Sequence, residues 1–373
     1  MHSRLLVQDR LFFALVMMLA LCGLVMVYSA SSVIAFDRFG DSWFYFKRQL
    51  VFILGGIFCL GVALASDYHT WIRNGGYILG FAILMLIAVQ IPGIGSSGGG
   101  AQRWLSFGGV GFQPAEFTKI ACVIYMTWAL VRKGDNVKSF TYGLLPMGLV
   151  AGLLAGLLML QPDFGNAVLT VLVAGVMIFL AGGRIAYLFG SALALAPVAW
   201  FVMMGADYRR RRMLAFLDPW ADPSNTSYQI VQSFTAFFSG GVWGQGLGNG
   251  QEKLHYLPEV HTDFIAAVVG EELGFVTLVL LIVTFMLLIW RGYRIALKAP
   301  DRSGFLLAAG CTTVIAFQVV LNLGVVMGLL PTKGLPLPFF SHGGSSLLMT
   351  FLASGLVLSV ARATSIRGSA EIG

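Results

Sequence analysis

Long apolar runs alternate with short polar connections along this chain, and ten of the runs are centred near residues 22, 56, 83, 123, 151, 173, 195, 281, 316 and 354. A helix that crosses a bilayer needs roughly 20 mostly apolar residues, and the runs are of that length. A transmembrane barrel would instead show short segments of alternating polarity. The pattern predicts an all-α integral membrane protein with about ten transmembrane helices, built as one polytopic domain over 1–373. An even number of crossings puts both termini on one side. Outside the runs, only the segment from about 207 to 262 is long enough to build anything, and it forms a large loop between helices 7 and 8. The first run, "LFFALVMMLALCGLVMVYSASSVIAF", is too long for a signal-peptide core and is read as a retained span.

Composition agrees with the pattern. The chain has 373 residues, 57% hydrophobic and only 11% charged, with a mean hydropathy of +0.82. A soluble core of this size cannot hide so much apolar surface. Cys22, Cys59, Cys122 and Cys311 all fall inside apolar runs, so neither disulfides nor a thiolate metal site is expected. His255, His261 and His342 lack the spacing of a zinc site. "GGVWGQGLGNG" lacks the Lys-Ser/Thr ending of a nucleotide phosphate loop, and no nucleic-acid partner is expected. With the N-terminus inside, thirteen of the chain's 24 Lys and Arg fall in cytoplasmic pieces. Five of the other eleven, Arg209 to Arg212 and Lys253, lie in the long segment, where the rule is weak. Both termini are therefore read as cytoplasmic and the 207–262 loop as extracytoplasmic.

In that orientation, nearly all polar residues that do not suit lipid gather at the outer face. In "QRWLSFGGVGFQPAEFTK", Pro114 suits the first turn of a helix, so Glu116 and Lys119 stand three apart on one face, close enough to pair. They are either a structural ion pair or, with Arg103 above them, part of an anion or phosphate site. Asp163 in "QPDFG" is read as structural, a cap at a helix start, with a salt bridge to Arg48 or Arg103 fitting equally well. Arg209 to Arg212 are either a solvated charge run near headgroups or a device that recruits a phosphorylated lipid. "SYQIVQSFTAFFSGG" has the spacing of an amphipathic helix lying along the membrane surface.

The segment "YLPEVHTDFIAAVVGEELGFVTLVLLIV" carries four carboxylates into an apolar helix. Thr262 is expected to cap a helix that starts at Asp263 and runs unbroken into the eighth span. On such a helix Glu271 falls about 80° from Asp263 and Glu272 lies opposite, so both glutamates cannot face one cavity. Glu271 and Glu272 are assigned structural roles. Asp263, with Glu259 just above it, is the candidate general base, because a partly desolvated carboxylate can accept a proton.

"QRWLSFGGVGFQPAEFTKIA", "QPDFGNA", "YQIVQSFTAFFSGGVWGQGLGNGQEKLHYLPEVHTDFIAAVVGEELG" and "LLPTKGLPLPFFSHGGSSLL" together closely resemble the SEDS family (shape, elongation, division, sporulation), in order and over essentially the whole chain. "VMVYSASS" and "NLGVVMGLLPTKGLPLPF" are similar to its division branch, FtsW, rather than its elongation branch, RodA. The sequence departs from the family at His342, where tyrosine is usual. The resemblance implies a peptidoglycan glycosyltransferase that polymerises lipid II at the outer face of the bacterial cytoplasmic membrane, at the division septum. The implied partners are a class B penicillin-binding protein and other divisome membrane proteins. It implies Asp263 as the essential residue, functional positions at Glu116 and Lys119, and a divalent cation, Mg or Mn, with no organic cofactor. Asp263 and Glu116 are the candidate metal ligands. Glu259, Lys333 and Ser345 join Arg103, Glu116 and Lys119 as substrate-binding candidates. The rival class is a lipid II flippase, which would spread polar residues through the membrane depth and over both faces.

Overall fold

The computed structural model describes residues 9–370 apart from 99–100, 108–109, 206, 224, 226, 251–261 and 333. Helices stand at all ten predicted centres: α1 (Arg10–Phe39), α2 (Phe44–Ala65), α4 (Gly75–Ala88), α5 (Pro114–Lys133), α6 (Leu145–Leu160), α7 (Phe164–Leu180), α8 (Ile185–Met204), α11 (Ile265–Leu297), α12 (Arg302–Val326) and α13 (Gly344–Ala370). Among the described residues, seven of these are long and apolar enough to cross a membrane, α6 with the turn that leads into it. Gly75–Ala88 and Phe164–Leu180 are apolar but shorter, and α5 carries the charge of Glu116 and Lys119. Short helices α3 (Tyr68–Arg73), α9 (Asp207–Leu217) and α10 (Tyr228–Gly240) fill connections. The chain is a multi-pass membrane protein.

α12 and α13 form the centre, with most of their length buried, and α2 lies along α13. α8 is the opposite case. None of its apolar window is buried by protein, which leaves that helix to lipid.

One element departs from the all-α expectation. The glycine-rich connection between α4 and α5 folds into a three-stranded antiparallel sheet, β1 (Gly95–Gly98), β2 (Ala101–Phe107) and β3 (Val110–Phe112), with β2 in the middle. The pairing of β2 with β1 is irregular at Arg103: Ser96 pairs with Trp104 and Ser97 with Gln102, which leaves Arg103 without a partner on β1. Ala101 and Leu105 on either side of it are buried. Pro114 occupies the first position of α5, as the sequence indicates.

The second departure concerns α11. Its helix begins at Ile265, two residues later than expected, with Thr262 to Phe264 in a turn. It then breaks at Gly274, whose φ of 81° and ψ of 176° suit glycine almost alone. A broken helix exposes amides and carbonyls that lipid cannot satisfy. The glycine-rich segment after α10 supplies the missing partners: the N–H groups of Gln245 and Gly246 donate to the carbonyls of Glu271 and Glu272 at 3.0 and 2.9 Å. In return Phe275 and Val276 donate to the carbonyls of Gly241 and Val242 at 3.0 and 3.3 Å. Residues 264–272 thereby become a buried short limb. α10 packs beside it with Ile230, Ser233, Ala236 and Gly240 inward.

A Cβ on Gly274 would overlap severely with backbone atoms of Val242, Trp243 and Gly244. Gly274→Ala is expected to destabilise the protein by about 3 kcal/mol or more, the combined scale of a forbidden dihedral and an overpacked site. Thermal unfolding in detergent measures it, with Gly80→Ala, where a Cβ meets nothing, as the neutral reference.

At the far end of the bundle from the sheet, His69 bridges Asp67 at 2.9 Å and Asp301, the cap of α12, at 2.7 Å. Burial draws the His69 pKa down, but the two carboxylate hydrogen bonds outweigh it and hold the ring above its usual value.

Candidate active site

At the sheet end, a cavity of roughly 460 Å³ opens among β2, the α6–α7 turn, the last residues of α8, α9 and the loop after α12. Its polar lining is Arg103, Asp163, Arg209, Arg212 and Thr332, with Gly334 in the wall. Arg103 stands at the irregularity of β2 and donates to the carbonyls of Gln161, at 3.0 Å, and Pro162. Arg209 and Arg212 lie on α9, three apart and so on one helical face. Arg212 donates to the Thr332 carbonyl at 3.3 Å. Three guanidinium groups around one cavity form a site suited to a multiply charged phosphate. The charge run of α9 therefore joins Arg103, a juxtaposition that sequence distance concealed.

Asp263 stands at the margin of this cavity. Its carboxylate lies behind Gly334, where even a Cβ would approach Oδ2 to 3.2 Å. Its backbone carbonyl accepts a 2.8 Å hydrogen bond from Asn322 Nδ2. Gly334, in the cavity wall, thus adjoins the Asp263 carboxylate with no side chain of its own between them.

Asp163 caps α7, as its sequence position indicates, accepting from the Asn166 N–H at 3.2 Å and Asn166 Nδ2 at 2.9 Å. It also accepts from Gln113 Nε2 at 3.3 Å while facing the cavity. Of the two arginines that could have bridged it, Arg48 and Arg103, the second donates to the carbonyls of Gln161 and Pro162 instead.

Glu116 and Lys119 pair as their spacing requires, with Nζ 2.8 Å from each carboxylate oxygen. They do so in the interior, with side chains 2% and 1% exposed, against Gln318, Val314 and Ile315 of α12. Neither lines the large cavity. Ser345 is also buried, accepting from the Gln113 N–H at 2.9 Å and so joining α13 to the start of α5. Glu272 is fully buried and accepts from Ser29 Oγ at 2.5 Å, tying the short limb of α11 to α1. Glu271 is buried beside it, next to Gly250. Glu259 and Lys333 lie outside the described residues. His342 meets Gln49 Oε1 at 3.1 Å and packs edge-on against Tyr45, bracing the loop to α2.

Both oxygens of Glu116 accept from Lys119 Nζ, and among the described residues no group of three His, Cys, Asp or Glu could hold a metal ion.

The family model described as "Cell cycle protein", for FtsW, RodA and SpoVE, matches residues 9–366. Among relatives, "Probable peptidoglycan glycosyltransferase FtsW" of Geobacter sulfurreducens is 46% identical over 347 residues, covering 93% of this chain and 92% of that protein. Stage V sporulation protein E of Bacillus subtilis is 41% identical over 357 residues, covering 95% and 97%. Among solved structures, a chain of a peptidoglycan synthase complex that coordinates polymerization and crosslinking superposes with a TM-score of 0.78 at 30% identity, covering 95% of this chain and 97% of that one. The Thermus thermophilus rod shape determining protein RodA gives 0.69 at 28% identity, covering 94% and 95%. With helices at the same ten positions that its hydrophobic runs predict and a family match over nearly its whole length, this chain belongs to the FtsW/RodA/SpoVE family.

Proposed function

We propose that the protein is a peptidoglycan glycosyltransferase of the division type, which lengthens glycan strands from lipid II at the outer face of the cytoplasmic membrane. The observation that carries this reading is one cavity ringed by Arg103, Arg209 and Arg212 with the Asp263 carboxylate behind Gly334. The names of its relatives support the same activity.

The chemistry follows from the charges. The acceptor sugar's 4-hydroxyl attacks the donor's anomeric carbon and loses its proton to Asp263, while the bond to the lipid pyrophosphate breaks on the opposite face. Pyrophosphate is a good leaving group that departs as an anion, so fixed cations serve better than a general acid. We give that role to the three arginines; the sequence alone left it open among Arg103, Lys119 and a divalent ion. Proton removal by one base, with no carboxylate acting as nucleophile, makes the displacement inverting. A divalent ion, where bound, would supply further positive charge against the pyrophosphate beside the arginines. The exposed flank of α8 leaves an apolar route for the polyprenyl tail.

In this reading both termini are cytoplasmic, the 207–262 segment is extracytoplasmic, and the protein works at the septum with a class B penicillin-binding protein that cross-links the product. The likeness to a chain of a peptidoglycan synthase complex supports such a partnership. In vesicles holding purified lipid II, the protein with its partner is expected to produce glycan strands. Transbilayer movement of lipid II without strand formation would overturn the polymerase in favour of a flippase.

A further inference from the structure

We infer that Asn322 is a positioning residue for the reaction: its amide fixes the turn carrying Asp263 against the cavity loop and so sets where the base stands. The inference rests on Asp263 being the base.

Asn322 interrupts the apolar run "FQVVLNLGVV" of α12 and is 2% exposed. Its Nδ2 donates both hydrogens, one to the carbonyl of Asp263 and one to the carbonyl of Leu335, each at 2.8 Å. Two carbonyl acceptors fix the amide's orientation, since its oxygen in that place would face oxygens. These acceptors belong to the two segments whose separation matters for the chemistry. Leu335 follows Gly334, a wall residue on which a Cβ would lie 3.2 Å from Asp263 Oδ2. One planar group therefore holds the base-bearing turn and the wall in fixed register.

The remaining atom argues that the amide serves more than packing. Oδ1 of Asn322 is buried and meets no donor among the described residues. A leucine of similar volume would fill the position without an orphaned acceptor, so the side chain is costly as a space-filler. Its value lies in the two donors. Removing them frees the Asp263 turn while leaving Arg103, Arg209 and Arg212 in place, so turnover suffers and substrate capture does not.

The test is lipid II polymerisation by the purified protein with its penicillin-binding partner, comparing Asn322→Leu, Asn322→Ser and Asp263→Glu singly and Asn322→Leu with Asp263→Glu together. Rates are normalised to the fraction folded. Asn322→Leu is expected to lower kcat at least about tenfold with KM within about twofold, the pattern of an interaction needed for turnover but not for capture. Asn322→Ser, which keeps one donor, should fall between it and the parent. Coupling through the base predicts that the double variant loses much less than the product of the single losses. Multiplying losses, an unchanged kcat per folded molecule, or failure of both Asn322 variants to fold would each make Asn322 a structural brace and overturn the inference. Retained activity in Asp263→Asn under the same assay would instead remove the base on which it rests.

Discussion

Asp263→Asn is expected to lower the rate of glycan-strand formation by about 10²- to 10⁴-fold, the usual worth of a positioned general base, while leaving the fold and the capture of lipid II intact. The substitution is isosteric. Its backbone carbonyl accepts a hydrogen bond from Asn322, which asparagine keeps while removing the basic oxygen. The pyrophosphate site is built by Arg103, Arg209 and Arg212, and the hydrogen bonds that hold Arg103 and Arg212 go to backbone carbonyls rather than to that carboxylate. The loss should therefore fall on kcat, with KM near the parental value. Equal rates for the parent and Asp263→Asn, measured with purified lipid II and the partner present, would show that another group takes the proton.

Much of this architecture is legible in the amino-acid sequence, for physical reasons. A bilayer demands a run of apolar residues long enough to cross it, and each of the ten runs is a helix. Local rules also transferred intact, as with Pro114 opening α5, Asp163 capping α7, and Glu116 reaching Lys119 one turn away. The features that stayed hidden depend on contacts between segments distant in sequence. Gly274 looks like an ordinary glycine in an apolar helix, a defect of only about 1 kcal/mol, unless residues 241–246 are known to lie beside it. The sheet is short, rich in glycine and too brief for alternation to stand out. Asn322 is one polar residue in an apolar run, with no local partner to announce its role. Spacing could likewise establish that Lys119 meets Glu116, but not that the pair would be sealed between α5 and α12.

That sealing decides the second large effect. Lys119→Met is expected to destabilise the folded protein by about 3–5 kcal/mol, because it strands the Glu116 carboxylate in the interior. The two side chains are 1% and 2% exposed, and the space between them, Val314, Ile315 and Gln318 has no room for a water molecule. Gln318 Nε2, 3.5 Å from Glu116 Oε2, is too distant to replace the lysine. Removing both charges has a different consequence. Replacing a buried ion pair with neutral groups of similar volume is often neutral or stabilising, so Lys119→Met combined with Glu116→Gln should recover most of the lost thermal stability in detergent. Polymerisation separates the two roles open to the pair. A brace predicts that activity returns with stability in the double variant. A direct contact between Lys119 and the substrate predicts a double variant that is stable and still inactive. The structure favours the first outcome, because among the described residues the cations facing the cavity are Arg103, Arg209 and Arg212, while Lys119 Nζ is spent on both oxygens of a carboxylate one helical turn away.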